Sequence, residues 1–256
     1  MSAIGLAGAV VERNIITYRR QWVAFLTGFL EPVFYLFSLG VGLGALIGAI
    51  TLPDGRTVTY AQFMAPAMLA MSAMNGAVFD ATYNMFFKLR YMHTFDAMLA
   101  TPVGPRDIAL GETAWSLLRS GCYVVAFLVI SVVLGLTTSW WALLALPAAT
   151  LIGFVFSSVG MAATTWIRNF QDFDYIQMAL VPLTLLSATF FPVSAYPPSL
   201  RWVVEISPLY HGVVIERGLL LGLVGWSMLW HVAVLLVMGA AGLVLTRRRL
   251  SALLLK

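Results

Sequence analysis

Long apolar stretches separated by short polar segments are the dominant pattern of this 256-residue chain. Residues 22–48 contain a single charged side chain, Glu31, and residues 60–87 contain only Asp80. Each stretch exceeds the roughly 20 residues that a helix needs to cross about 30 Å of hydrocarbon. The pattern therefore predicts one transmembrane helix in each range.

The remaining apolar stretches predict four more spans. Residues 113–167 contain only one charge, Arg119, and are about twice as long as one crossing requires, so two helices must share them. The turn is expected near Gly135, Trp140 and Trp141, because glycine weakens helices and tryptophan is enriched at membrane surfaces. The predicted spans 3 to 6 cover residues 107–136, 141–167, 175–191 and 224–246.

The composition places the chain in the same class. Hydrophobic residues make up 61% of the sequence and charged residues 10%, with a mean hydropathy of +0.90. Soluble globular domains average about 45–50% and 25%. We therefore predict an all-α integral membrane protein with six transmembrane helices, and a soluble enzyme is largely excluded.

The net charge of +4 indicates membrane topology rather than nucleic-acid binding. Eleven of the fifteen Lys and Arg residues fall on the side of the membrane that holds the N-terminus, three fall on the opposite side, and one lies within a span. In membrane proteins the cytoplasmic loops carry the excess of basic residues. Both termini are therefore expected in the cytoplasm, as an even number of spans also requires.

The N-terminal segment, residues 1–21, is predicted to form an amphipathic interfacial helix. Its apolar stripe recurs at alternating steps of four and three residues, namely Ile4, Gly8, Val11, Ile15, Tyr18 and Trp22. This spacing is typical of a helix that lies along a membrane surface. The helix either anchors the chain or joins the first span to a cytoplasmic partner.

Residues 88–104, between spans 2 and 3, are predicted to contain a short cytoplasmic helix. Phe95, Met98 and Leu99 fall on one face of it, and the sequence TPVGP ends it because proline lacks an amide donor. An exposed apolar face is unfavourable unless something covers it, either a partner protein or the membrane surface and neighbouring spans. The candidate partner-contacting residues are Lys88, Arg90, Phe95, Met98, Leu99 and Arg106.

Residues 192–222, on the outer side, are predicted to form a re-entrant or interfacial helical hairpin. The segment is rich in proline, and neither of its two apolar pieces is long enough to cross the membrane. Such a hairpin could close a pathway from outside. The candidate outer-gate residues are Phe191, Tyr196, Trp202, Tyr210 and His211.

Three charged residues interrupt the spans at a similar depth. Counted from the cytoplasmic ends at 1.5 Å per residue, Glu31, Asp80 and Arg119 lie about 10–13 Å into the membrane. A lone charge at the centre of a span costs about 2.5–3.5 kcal/mol on insertion scales, so Arg119 is expected to pair with Glu31 or Asp80. The sequence leaves open whether this layer is structural or lines a substrate pathway.

The chain lacks the motifs of several common chemistries. Neither lysine follows the GxxxxG pattern, so no ATP-binding phosphate loop is present. His93, His211 and His231 lie in different regions without metal-binding spacing, and no metal site is expected. No catalytic motif and no cofactor on this chain is predicted.

These features together resemble a known family. Six spans, an amphipathic N-terminal helix, the loop LATPVGPRDIALGE and the outer segment FPVSAYPPSLRWVVEISPLYHGVVIERG are similar to the permease subunits of type-2 ABC exporters. The run FDAMLATPVGPRDIALGETAW is most similar to permeases of the rhizobial nodulation-factor (lipo-chitooligosaccharide) exporter, and next to daunorubicin-exporter permeases. The resemblance covers residues 1–256 as a single domain.

The resemblance implies a multi-pass permease of a bacterial cytoplasmic membrane. It implies a second permease chain, identical or related, and two copies of an ABC ATPase subunit that bind ATP and Mg²⁺. In such transporters the cytoplasmic helix between spans 2 and 3 couples to the ATPase. The substrates are amphiphiles such as glycolipids, lipid-linked saccharides or hydrophobic drugs, and the outer hairpin would form the exit gate.

Two rival hypotheses come from other classes. An integral membrane enzyme acting on lipids would need catalytic polar residues at one depth, for which Glu31, Asp80 and Arg119 are the only candidates. A non-transporting anchor would only dock a cytoplasmic protein. Association with an ATPase whose activity an amphiphile stimulates would separate the exporter from both.

Overall fold

The computed structural model describes residues 3–19 and 22–254, and these residues are predominantly helical. Arg20 and Lys256, which contribute to the predicted charge asymmetry, lie outside the described residues. Residues 1, 2, 20 and 21, at the two ends of the predicted segment 1–21, also lie outside the described residues.

The N-terminal helix α1 (Ala3–Tyr18) packs against α6 (Pro105–Val133). Val10 and Asn14 are its buried residues, whereas Gly8 and Ile15 of the predicted apolar stripe are exposed. Tyr18 of the same stripe nevertheless stacks on Trp115 with ring centroids 5.4 Å apart, so part of the stripe contacts the rest of the chain. The small Gly111 of α6 permits the contact, because a Cβ there would lie 2.6 Å from the Val10 Cβ atom.

The first predicted span, residues 22–48, is divided in the structure. It consists of α2 (Trp22–Gly42) and the short α3 (Gly44–Ile47). A two-stranded antiparallel sheet follows, formed by β1 (Ala49–Thr51) and β2 (Thr57–Thr59) with Ile50 opposite Val58. The all-α prediction missed this hairpin, in which β-branched residues form the strands and Gly55, at φ 84°, completes the turn.

The second span is longer than predicted. Its helix α4 (Tyr60–Phe79) begins at a capping box between Thr59 and Gln62 and continues through π-helical turns at Asp80–Asn84 and Phe87–Tyr91. The helix therefore extends past the predicted end at residue 87. The cytoplasmic helix predicted within residues 88–104 is only α5 (Thr94–Leu99), preceded by His93 in the left-handed conformation (φ 48°).

The remaining helices follow the predicted order with shifted ends. The predicted span 5, residues 175–191, ends early at Leu185, and Ala188 then adopts a positive φ of 53° that a helix does not continue through. Two helices within the predicted outer hairpin meet at Ser207. The elements after α6 are a 3₁₀ turn (Trp140–Leu144), α7 (Ala145–Thr164), α8 (Phe173–Leu185), α9 (Pro198–Ile206), α10 (Pro208–Leu221) and α11 (Met228–Leu254).

Four helical segments among the described residues are long and apolar enough to cross a membrane. They are Leu30–Ile47, Pro105–Val133, Trp140–Thr164 and Met228–Leu254. The helices α4 and α8 are not among them. These features describe a helical, multi-pass membrane protein.

The helix α4 forms the centre of the packed core. It contacts α2, α6, α7 and α10, and nearly all of its side chains are buried. Its many alanine residues and Gly76, which lies against the Tyr123 ring, allow neighbouring helices to approach closely. A helix shielded from lipid by protein needs less apolar character, so α4 tolerates Gln62, Ser72 and Asn75.

Candidate functional site

A cavity of about 420 Å³ lies between α2, α4, α6 and α8 and combines charged, polar, aromatic and aliphatic side chains. Two larger grooves, of about 630 and 610 Å³, have walls that are mainly apolar. Convergent polar groups in an otherwise apolar pocket are typical of a ligand site, which favours this mixed cavity. Its lining residues are Glu31, Tyr35, Met71, Asn75, Val78, Phe79, Tyr83, Arg119, Tyr123, Gln177, Leu180, Val181, Thr184, Leu185 and Phe190.

The wall formed by α4 and α6 contains a buried ion pair. The Arg119 Nη1 atom lies 3.2 Å from the Asp80 Oδ1 atom, and both side chains are almost fully buried. Arg119 Nε also donates a hydrogen bond of 2.9 Å to the Tyr123 hydroxyl, and Asn84 donates to Asp80. Of the two acidic residues expected near Arg119, the structure thus brings Asp80 into contact.

Glu31 does not pair with Arg119. Its carboxylate is exposed and accepts a hydrogen bond of 3.2 Å from the Asn75 amide on α4. The three charges predicted to share one layer therefore separate into a buried ion pair and a carboxylate that faces the cavity.

A second buried ion pair joins the same two helical segments about two turns from the first. Lys88 Nζ is 2.6 Å from Glu112 Oε2 and 3.1 Å from Asn14 Oδ1. The Asn14 amide in turn donates to Glu112 at 3.3 Å, so it bridges both partners. The prediction that Lys88 faces a partner protein is wrong, because its side chain is buried in this triad.

The apolar face predicted to be exposed on the cytoplasmic helix is covered by the chain itself. Phe95 is 1% exposed and Met98 is 9% exposed, while Leu99 is half-buried. They pack with residues of α1, α6, α7 and α11, including Ile108 and Leu250. Of the two covers considered for this face, a partner protein or neighbouring parts of the chain and the membrane, packing on neighbouring helices accounts for Phe95 and Met98.

The exposed surface near α5 is formed by different residues. Tyr91 and Met92 are 62% and 68% exposed. The predicted Arg90 and Arg106 are exposed as well, and Arg90 donates to the Ile167 carbonyl. The sequence analysis missed Tyr91 and Met92 because it placed this segment inside the cytoplasmic helix.

The five candidate outer-gate residues do not line the mixed cavity. Phe191 and Trp202 are exposed, and Tyr196 donates a hydrogen bond of 2.8 Å to the Leu185 carbonyl. Tyr210 and His211 lie beside His231 of α11, with the two histidine Nδ1 atoms 2.6 Å apart. This histidine pair was not predicted, because its members are 20 residues apart and lie in different predicted elements.

Among the described residues, no group of three or more His, Cys, Asp or Glu side chains could hold a metal ion. The polar groups of the mixed cavity are instead suited to hydrogen bonding and aromatic contact.

Apolar helices long enough to cross a membrane, packed around a mixed cavity, are typical of a membrane protein with a ligand site. Residues 6–221 match the family model described as ABC-2 type transporter, and the chain belongs to this family. It is therefore a transport permease subunit.

Individual relatives agree with this assignment. The chain is 34% identical to Nodulation protein J of Rhizobium leguminosarum bv. viciae over 232 residues, which cover 90% of this chain and 87% of the relative. It is 35% identical to Nodulation protein J of Rhizobium meliloti (strain 1021) over 217 residues, covering 84% and 80%. It is also 24% identical to the inner membrane transport permease YadH of Escherichia coli (strain K12) over 207 residues, covering 79% and 78%.

Proposed function

We propose that this chain is the membrane subunit of an ATP-driven exporter that moves an amphiphile out of the cytoplasm or the inner leaflet. The observation that carries the proposal is the mixed cavity, in which the Glu31 carboxylate, the Asn75 amide and aromatic rings on one side meet the mainly aliphatic surface of α8 on the other. A molecule with a polar head and an apolar tail matches both parts. Glycolipids, lipid-linked saccharides and hydrophobic drugs, the substrates that the family resemblance implies, all have this amphiphilic character.

The proposed topology has six spans with both termini in the cytoplasm of a bacterium. The four long apolar helical segments would be joined by α4, which neighbouring helices shield, and by α8. In this arrangement α9 and α10 form the re-entrant hairpin on the outer side, and α5 lies in the cytoplasm. The clustered Arg247, Arg248 and Arg249 at the end of α11 fit a cytoplasmic location.

The energy would come from a separate ATPase subunit, present in two copies and carrying ATP and Mg²⁺. A second permease chain, identical or related, would complete the pathway. The ATPase would contact the cytoplasmic surface around α5, where Tyr91 and Met92 are exposed beside Arg90 and Arg106. Phe95 and Met98 would support α5 from beneath rather than contact the partner.

The lipid-enzyme hypothesis has less support in the geometry. Its catalytic candidates would have to face a substrate together, yet Asp80 is buried against Arg119 and only Glu31 offers an exposed carboxylate to the cavity. Among the described residues, the site thus lacks a pair of exposed acid–base groups.

The proposal is tested by co-expressing the tagged chain with the ABC ATPase encoded nearest to its gene. We expect the ATPase to co-purify, and its vanadate-sensitive hydrolysis in lipid to rise when an amphiphile is added. A well-folded permease that captures no ATPase, or that modifies a lipid without ATP, would contradict the exporter and favour the enzyme.

A surface variant tests the proposed contact with the ATPase. Met92→Asp places a charge on the exposed cytoplasmic surface and should reduce co-purification of the ATPase about tenfold, a loss of the size that one buried apolar contact contributes. Ile206→Asp, an apolar position of similar exposure (66% against 68%) at the end of α9 on the proposed outer side, is the matched control and should leave the association unchanged. Equal retention of the ATPase by both variants would refute this contact.

A further inference from the structure

We propose that the mixed cavity selects its substrate by the head group. Glu31 would accept hydrogen bonds from a head group that carries hydroxyl or ammonium donors, and the cavity would reject anionic head groups. The inference rests on the proposed function, because it assigns the polar end of the transported amphiphile to the same cavity.

The charge balance of the cavity is the first argument. Among the residues that the structure describes, Glu31 and Arg119 are the only charged side chains that line it. The guanidinium of Arg119 is engaged by Asp80 and by the Tyr123 hydroxyl, so its positive charge is largely compensated. The charge that the cavity presents to a ligand is therefore the negative charge of Glu31.

The hydrogen-bonding capacity of Glu31 is the second argument. An ionised carboxylate has about four acceptor positions and no donor. Among the described residues it accepts one hydrogen bond, from Asn75, and no basic side chain lies within 4 Å. A charge inside a span is costly when it lacks partners, so this position favours a ligand or water that donates hydrogen bonds.

The aromatic lining is the third argument. Five rings surround the cavity, and the negative face of an aromatic ring attracts cations and repels anions. Tyr35 and Phe190 meet edge to face at 6.1 Å, and Phe79 stacks on Tyr83 at 5.4 Å. The fifth aromatic ring of the lining is that of Tyr123. These rings also offer flat apolar surfaces to a sugar ring.

The remaining wall fits the rest of an amphiphile. Leu180, Val181 and Leu185 of α8 line it with aliphatic surface, while Gln177 and Thr184 add hydrogen-bonding groups along the same helix. An alkyl chain packed on α8 would place its head group opposite, toward Glu31 on α2.

The test uses three photoreactive dodecyl probes that differ only in the head group, which is glucoside, ammonium or sulfate. Each is cross-linked to the full chain in phosphatidylcholine nanodiscs, and the labelled residues are located by mass spectrometry. We expect the glucoside or the ammonium probe, or both, to label cavity residues of α8 at least about tenfold more than the sulfate probe. Which of the two labels shows whether the head group is hydroxylated or cationic.

Two variants assign this selectivity to Glu31. Glu31→Gln should reduce labelling by the ammonium probe about tenfold, because a hydrogen bond to a charged group changes affinity by roughly that factor. It should also raise labelling by the sulfate probe. Glu205→Gln, on the exposed surface of α9, is the matched control and should change neither. Wild-type labelling by sulfate equal to the other probes, or an unchanged pattern in Glu31→Gln, would overturn the proposal.

Cross-linking requires neither ATP nor a partner. The exporter proposal and the proposal of head-group selection can therefore be refuted independently of each other. Loss of head-group selection with intact ATPase association refutes only the role of Glu31. Intact selection in a chain that binds no ATPase refutes the exporter but leaves the ligand site.

Discussion

Glu216 of α10 is a fully buried carboxyl group in the core of the chain. Neither of its carboxylate oxygens has a hydrogen-bond partner among the described residues. Burying a polar group without a partner costs about 1–3 kcal/mol. The burial of Glu216 therefore lowers the stability of the folded chain. Its burial was not predicted from the sequence.

Replacing Glu216 with leucine should stabilise the protein. The variant replaces an unsatisfied polar group with an apolar side chain of similar size, so the midpoint of thermal unfolding should rise by several degrees. The midpoint is measured on the purified full chain in detergent. Glu205→Leu, on the exposed face of α9, should shift it little, and a lower midpoint for Glu216→Leu would show that the carboxyl stabilises the fold.

His211, in the proposed outer hairpin, should make stability depend on pH. Burial chiefly, and the nearby His231 in addition, lower the pKa of His211 from 6.5 to about 4. The unfolded chain then binds a proton more readily than the folded chain between these two values. Stability should therefore fall as the pH decreases from 6.5 to 4.

Thermal unfolding at a series of pH values checks this dependence. His211→Gln removes the titrating group and should flatten the profile, whereas His93→Gln, an exposed histidine, should leave the profile as it is. An equally steep decline in His211→Gln would contradict the assignment.

At the residue scale, a functional or structural role could be predicted only for a side chain that differs clearly in polarity from its neighbours in the sequence. Asp80 and Arg119 were identifiable because charges stand out in apolar stretches, and spacing placed them at similar depth. Lys88 lies where the apolar stretch ends, a position typical of an exposed loop residue. The composition therefore could not predict that its side chain is buried against Glu112. The pairing of His211 with His231 depends on tertiary packing that no local pattern encodes.

At the element scale, the contact between α1 and α6 depends on the absence of a side chain at Gly111. A Cβ atom there would approach Val10 at 2.6 Å and the Ala7 carbonyl at 2.9 Å. Gly111→Ala should therefore displace α1 and lower the thermal midpoint, by an overpacking cost of about 1–3 kcal/mol.

Gly121 supplies a control within the same helix. A Cβ at Gly121 meets nothing within 4 Å, so Gly121→Ala should leave stability unchanged or raise it by about 0.5–1 kcal/mol through helix propensity. Protease accessibility of α1 should increase only in Gly111→Ala. Equal behaviour of the two variants would show that α1 does not depend on this close approach.

The order of the long helices followed from hydrophobic runs, but their ends did not. The π-helical turns carry the second span through Lys88 and Arg90, whose polarity suggested a loop. The strands β1 and β2 contain three residues each, too few for a period of two to be recognisable. Hydrophobic periodicity locates long elements, whereas tertiary contacts determine where they stop.

At the scale of the whole molecule, two buried ion pairs connect the same two helical segments. Asp80–Arg119 and Lys88–Glu112 join the π-helical end of the second span to α6 at two levels. Removing one partner of a buried pair typically costs about 3–5 kcal/mol. The pairs therefore fix the register of these segments, and that register positions one wall of the mixed cavity.

An exchange of charges tests this register. Glu112→Lys alone places two cations together and should sharply lower the yield of monodisperse protein in size-exclusion chromatography. The double variant Lys88→Glu with Glu112→Lys restores opposite charges and should recover most of that yield. A double variant no better than the single one would mean that the pair does not hold the two segments together.

The membrane class and the family could be predicted from the sequence because they depend on long apolar runs and a few extended motifs. The mixed cavity could not, since it requires side chains from α2, α4, α6 and α8 that only the packed helices bring together. The central position of α4 likewise explains why its sequence is less apolar than those of the four long candidate spans.

The triad of Asn14, Lys88 and Glu112 also constrains the order of events during synthesis. The partners of Asn14 follow it by 74 and 98 residues in the chain. Helix α1 therefore lacks these docking partners until the beginning of α6 has been synthesised. Attachment of α1 through this triad thus follows the synthesis of Glu112, whereas the packing of α4 still waits for α7 and α10.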